Sequence, residues 1–331
     1  MSTLPATMQR VGKAEGVGAI VVESVPVPAP TSRQVLVRTC RSLISRGSEI
    51  DGRYRKREAI RPEMMGYSAA GEIVAVGDAV DEVAIGDRVA VVAPHAEYVL
   101  GDVDAIGAMA ITRIPAGVSY DQAVFHPLSV GAVLWTEIAE IRPDETVVVM
   151  GQGLVGNLVL QAASAHAPRQ LIAVDAIEAR CDLAARFGAD AVIDVRHVDP
   201  VERVRELTGG EGAHLVMECV GGPAGVRSFG QAVEMTRPMG RIHLIGLYQE
   251  QPLPLDGSAI QRRKIIGGYY TDLNATWRPA ADEAMTRLAS GHLRVEPLIT
   301  HRLPPSRAAE AFALLHDRPD EALGVIFTWD P

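Results

Sequence analysis

The segment TVVVMGQGLVGNLVLQAASAHA, residues 146–167, constrains this chain more than any other. An apolar run of β-branched residues meets a glycine turn, and the turn opens directly into an apolar helix. In that order a parallel strand delivers a helix N-terminus to an anion. Gly151 permits the tight turn, Gly153 lets the backbone approach a pyrophosphate, and Gly156 allows close helix packing, with Leu154 and Val155 starting the helix between them. A GxGxxG alone is weak evidence. Here Asp175 ends the next strand, QLIAVD, 24 residues after Gly151, placed to take the ribose hydroxyls of a dinucleotide. Its carboxylate repels a 2′-phosphate, and Ala176 and Ile177 supply no arginine to receive one, so NAD is expected over NADP. Arg180, one turn into the following helix, reads either as a cover for the adenine or as a solvated helix residue.

Around that fingerprint, strands and helices alternate: QLIAVDA, EARCDLAARFG, AVIDV, HLVMECVGG, RIHLIGLY. Fully apolar strands in this rhythm imply a doubly wound parallel sheet of the α/β class, covered on both faces. Before about residue 120 the pattern differs. Short runs such as QVLVRT and DRVAVVAP, broken by Gly, Pro and Asp, predict an irregular, largely antiparallel β domain. DQAVFHPLSVGAVLWTEIAEI has helical spacing and links the two. After about residue 266 a helix, RPAADEAMTRLASG, leads to a last strand, LGVIFTW. That piece is too short to stand alone and is expected to rejoin the first domain.

Composition excludes several functions. With 47% hydrophobic and 22% charged residues and no 20-residue apolar run, the chain reads as an ordinary globular protein of about two domains. A formal charge of −9 argues against nucleic acid and anionic membrane surfaces, which want a basic face. Cys40, Cys181 and Cys219 lie far apart, so neither a disulfide framework nor a thiolate zinc site is expected. The opening residues lack the apolar core of a secretion signal, and a cytoplasmic location is expected.

GEIVAVG followed by GDRVAV, then AEYV, HPLSVGAVLWT, GQGLVG with Asp175, and LITHRLPPSRAAEAFALL resemble, in that order, the medium-chain dehydrogenase/reductase superfamily. The resemblance covers nearly the whole chain. HPLSVG is similar to the EPLSVG of polyol dehydrogenases. ISRGSE with MGYSAAG resembles a zinc-free branch that includes the bacteriochlorophyllide hydroxyethyl dehydrogenases. It implies a GroES-like, mainly β catalytic domain (1–127 and 267–331) and a Rossmann domain (128–266). The edge strand and loop in RIHLIGLYQEQPLPLDG, residues 241–257, imply a homodimer.

The departures from that superfamily matter as much. At the positions of its catalytic zinc ligands stand Arg46, Tyr67 with Ser68, and His126. The four-cysteine lobe of a structural zinc is missing between Pro94 and AEYV. One imidazole does not make a catalytic zinc site, which takes about three protein ligands, so no zinc is expected. Hydride transfer still needs a proton moved at the reacting oxygen. By motif position Arg46, Ser48, Tyr67 and His126 converge there, and Tyr67 and His126 are expected to share the acid/base work. Core packing for Tyr67 and helix capping for His126 are the plainer alternatives. Glu49 stands where the family places an acidic residue beside Ser48.

A basic cluster, Arg53, Arg55, Lys56, Arg57 and Arg61, either steers an anionic substrate or forms a solvated face. Tyr269, Tyr270 and Trp277 either wall a small-molecule substrate or pack in the core. The expected activity is oxidation of a secondary alcohol, whether a polyol, a sugar derivative or a ring hydroxyl, with NAD. Its rivals are a zinc-free NADPH quinone or enoyl reductase and a non-catalytic NAD-binding protein. A short-chain dehydrogenase mechanism is excluded, because no tyrosine has a lysine four residues later.

Overall fold

The computed structural model describes residues 4–248, 252–268 and 273–329. It divides into two compact units, Met1–Val130 with Asp272–Pro331, and Gly131–Thr271.

The Gly131–Thr271 unit is a six-stranded parallel sheet. Its strands lie in the order Ala191–Asp194, Gln170–Asp175, Thr146–Met150, Ala213–Glu218, Thr236–Leu244, Lys264–Gly267. This is the Rossmann order, and its direction reverses between Thr146–Met150 and Ala213–Glu218, where such folds open a crevice at the strand ends. Every residue of Thr146–Met150 is buried, which is why that strand reads as an unbroken apolar run instead of an alternation. Val148, Ile172, Val216 and Ile242 form the core of one face with Phe229 from a covering helix. The expected edge strand is not at the edge: Arg241–Leu244 pairs with Ala213–Glu218 on one side and with Lys264–Gly267 on the other. KIIG supplies a sixth, outermost strand that its brevity concealed.

The other unit is mainly β. Its larger sheet runs Ile299–Leu303, Gly324–Thr328, Gln34–Leu43, Ala69–Val76, Arg88–Val91, Thr112–Arg113, with Tyr98–Asp102 also on Gln34–Leu43. Thr7–Lys13 and Ile20–Pro26 form a separate antiparallel pair. The C-terminal strand pairs antiparallel with the central one, Ile326 opposite Leu43. The single helix expected over DQAVFHPLSVGAVLWTEIAEI is two, Tyr120–Ala123 and His126–Ile138. Val124 and Phe125, both fully buried, occupy the break, and Pro127 falls in the first turn of the second helix, where a missing N–H costs nothing.

One element was not foreseen. Arg46–Tyr54 winds as a wide π-type helical segment. Ile50 and Tyr54, one turn apart, seal it into a core with Met65, Phe312 and Phe327. π-type turns are rare and favour functional sites; this one carries Arg46, Ser48, Glu49 and Arg53 on a rigid base.

Candidate active site

At the GxGxxG turn the structure shows why the first and last glycines are needed. Gly151 has φ 83°, and a Cβ on Gly156 would stand 1.6 Å from the Gly151 carbonyl oxygen. A Cβ on Gly153 would meet nothing within 4 Å. It would project into open space at the head of the helix Leu154–Ser164, the space a pyrophosphate needs. Asp175 is buried at the end of its strand. Its Oδ2 accepts from the Gln152 amide at 2.5 Å and its Oδ1 from the Ala176 and Ile177 amides at 2.8 Å each. These bonds tie the turn to the neighbouring strand. Arg180 lies half-buried in the first turn of the helix Glu178–Arg186.

Sequence reasoning missed a support beneath this turn. Glu218, fully buried, accepts from the Tyr248 hydroxyl at 2.5 Å, from the Val220 amide at 3.0 Å and from Ser228. Burial raises its carboxyl pKa against those bonds. The knot holds Val220, whose side chain a Cβ on Gly151 would strike at 2.9 Å.

In the mainly β unit, Tyr67 is the centre of a bonded cluster. Its hydroxyl donates to Ser45 Oγ at 2.7 Å. Burial pushes the phenol pKa up to about 12; the Ser45 bond opposes this, the charge of Glu49 adds to it, and Ser48 and Arg53 pull the other way. Glu49 is fully buried, accepting from the Ser45 amide at 2.9 Å and lying 3.0 Å from His95 Nε2. Behind it, Trp329 donates to Ser42 Oγ at 2.9 Å, and Ser42 lies 2.8 Å from His95 Nδ1. With Ser42 donating onward, Nε2 carries the imidazole proton to Glu49. Glu49 is therefore committed to this buried brace and kept from any substrate.

Ser45, His95 and Arg53 are the parts that the motif positions alone did not supply. His95 had no local signal; only the structure brings it to Gly66, which at φ 101° has its backbone where a Cβ would meet the His95 amide at 2.7 Å. Ser45 had none beyond lying four residues before Glu49. The cation acting on Tyr67 is Arg53, not Arg46, which starts the π-type segment and has no ion pair among the described residues.

His126 has a different occupation from the proton shuttle expected of it. It is buried, its Nε2 donates to the Ala281 carbonyl at 3.0 Å, and burial pulls its pKa down to about 4. No hydrogen bond joins it to Tyr67 among the described residues. With Pro127, Val91, Ala110 and the buried Trp277 it lines a small hollow. Ser68 donates to the Val124 carbonyl. Among the described residues no three His, Cys, Asp or Glu side chains gather as a metal-binding group. Tyr269 and Tyr270 lie outside the described residues.

Two family models match the chain: an alcohol dehydrogenase GroES-like domain over residues 32–127 and a zinc-binding dehydrogenase over residues 155–286. The L-threonine 3-dehydrogenase of Bacillus licheniformis is 29% identical, with 94% of this chain and 96% of that one covered. The sorbitol dehydrogenase of Bacillus subtilis is 27% identical, with 93% of each covered. The solved alcohol dehydrogenase TADH from Thermus sp. ATN1 superposes with a TM-score of 0.82 at 25% identity, over 97% of this chain and 99% of that one.

Proposed function

Because the chain belongs to the medium-chain alcohol and polyol dehydrogenase superfamily, we propose that it is a zinc-independent oxidoreductase using NAD. It interconverts a secondary alcohol, such as a polyol, a sugar derivative or a ring hydroxyl, with its ketone. The observation that carries this is the bonding at the positions where zinc-holding relatives place their ligands. Arg46 is a cation with no lone pair to give, Tyr67 and Ser68 carry neutral hydroxyls that donate to Ser45 and to a carbonyl, and only His126, whose Nε2 donates to Ala281, keeps a ring nitrogen that could hold a metal. A zinc site takes about three lone-pair donors facing one point. This donor set does not fit one.

The dinucleotide does fit. Gly151, Gly153, Gly156 and the helix beginning at Leu154 would hold the pyrophosphate, and Asp175 the ribose; its negative charge favours NAD over NADP. When bound, the nicotinamide supplies or accepts the hydride.

The proton falls to Tyr67. In the reducing direction the phenol donates to the substrate oxygen as negative charge develops there, and the Ser45 and Ser48 hydroxyls stabilise the phenolate left behind. With its pKa near 12 the phenol is protonated at neutral pH and still a stronger acid than an ordinary alcohol. Oxidation needs the phenolate, so its rate should rise towards alkaline pH. His126, held neutral and bonded to backbone, takes no proton-transfer step.

The test is Tyr67→Phe in metal-analysed, chelator-treated protein. The variant should lose kcat by about 10²- to 10⁴-fold and keep its NADH affinity. Wild-type turnover in the variant, or zinc near one per chain, would sink the proposal.

A further inference from the structure

Arg53 is a charge without a counterpart. It lies in the last turn of the π-type segment, half-buried, and its Nη1 is shut from solvent with no hydrogen-bond partner. No carboxylate pairs with it among the described residues, and in this segment it alone has a guanidinium nitrogen shut from solvent without a partner. Arg55 reaches Asp51 at 3.6 Å, and the half-buried Arg41 reaches Asp121 at 2.7 Å. Glu49, one turn back, is already held by the Ser45 amide and His95. A guanidinium N–H group shut from water without a partner costs stability, and buried polar groups nearly always have partners. Tyr67 bonds at 2.7 Å to Ser45, the residue on which this segment starts, and the Arg53 guanidinium is among the charges acting on it. An unpaired cation and a proton donor thus share one neighbourhood within one unit.

We propose that Arg53 binds an oxyanion of the substrate, a carboxylate or a phosphate monoester, and so sets the reacting oxygen against Tyr67. The substrate is then an anionic alcohol or ketone, which rests on the function proposed above and narrows it. The planar guanidinium fork matches both oxyanions, often through two parallel bonds, and anchoring a substrate away from its reacting carbon is how orientation is gained. In the free protein the vacant charge is a stability cost retained for function.

The pyrophosphate of the dinucleotide carries the same chemistry, so the test separates the two sources. Full-length wild type, Arg53→Gln and Arg55→Gln are titrated with inorganic phosphate and with acetate by calorimetry, with and without NADH. NADH affinity is measured separately by fluorescence. Arg53→Gln should lose anion affinity by about tenfold or more, the size expected for one charged hydrogen bond. Arg55→Gln should not, and NADH affinity should be equal in all three.

The ligand-free melting temperature of Arg53→Gln should rise, because an unpaired charge has gone; weak binding then cannot be failed folding. Absence of anion binding to the wild type, or equal binding in Arg53→Gln, overturns the proposal. A parallel loss of NADH affinity assigns Arg53 to the cofactor and overturns it too. With 3-hydroxybutyrate and 2-butanol as a matched pair, Arg53→Gln should raise KM for the anion alone, whereas Tyr67→Phe lowers kcat for both. Failure of the wild type to oxidise any alcohol would undo the proposed function, while the anion titrations still decide the role of Arg53.

Discussion

In the Gly131–Thr271 unit, the groups positioned for a ligand are backbone: a turn at positive φ, a helix start with open space above Gly153, and amides already tied to Asp175. In the mainly β unit they are side chains, and most are bonded to one another, Tyr67 to Ser45, Glu49 to His95, His95 to Ser42. A backbone site comes with the fold and tolerates little change, since a Cβ on Gly156 collides with main chain and one on Gly153 fills the open space at the helix start. A side-chain site can be re-equipped on the same scaffold. The residues that differ between the two kinds of site, Arg46, Tyr67 and Ser68, all lie in the stretch matched by the alcohol dehydrogenase GroES-like domain.

The comparison breaks most sharply at Gly156. Its added Cβ would stand 1.6 Å from the Gly151 carbonyl oxygen, and both partners are backbone, so the turn itself must open. Gly156→Ala should weaken NADH binding by about 100-fold or more, ~2.7 kcal/mol, with secondary structure by circular dichroism unchanged. Unaltered NADH affinity would mean that the turn does not hold the cofactor.

Tyr67→Phe should show the opposite split, with kcat lowered by about 10²-fold at least and NADH affinity kept. If both variants changed both quantities alike, the division into a backbone binding site and a side-chain reaction site would be wrong. Asp175→Asn is milder. It keeps one acceptor oxygen for the turn, sets an NH2 against the amides that the other oxygen served, and removes the charge facing a 2′-phosphate. The NADPH-to-NADH preference ratio should rise by about tenfold, ~1.4 kcal/mol, and an unchanged ratio would remove Asp175 as its determinant.

The same division explains what could be read from the sequence. Gly151, Gly153, Gly156 and Asp175 are local: strand, turn and helix lie within one stretch, and the apolar pattern announces both layers of the sheet. The KIIG strand escaped notice because four residues give no periodicity. Around Tyr67 the deciding partners come from afar. Ser45 is 22 residues away, His95 lies 46 from Glu49, and Trp329 lies 287 from Ser42. Motif position could place Tyr67, Ser48 and His126 in the right units, but which atom each hydroxyl or imidazole bonds depends on those distant contacts. The π-type winding of Arg46–Tyr54 has no composition of its own, and with it Arg53 was read only as one cation of a basic cluster.

His126 offers the smallest test, and one of the mainly β unit alone. Its imidazole is fully buried with Asp282 and Arg278 acting on it, and its pKa falls from 6.5 to about 4, chiefly by desolvation. Below the unfolded value the unfolded chain binds a proton that the native state refuses, so stability present above pH 6.5 is lost as pH falls towards 4. At pH 5.5 the expected loss is roughly 1 kcal/mol relative to pH 7.5. His126→Gln keeps a donor for the Ala281 carbonyl and removes the titration. Its denaturant midpoint should fall less steeply than the wild type's between pH 7.5 and 5.5, a difference that cancels the contributions of His214 and His243, whose pKa values burial also lowers. Equal slopes would mean that the His126 imidazole can be charged in the folded protein. It would then have to be restored beside Tyr67 as a proton carrier.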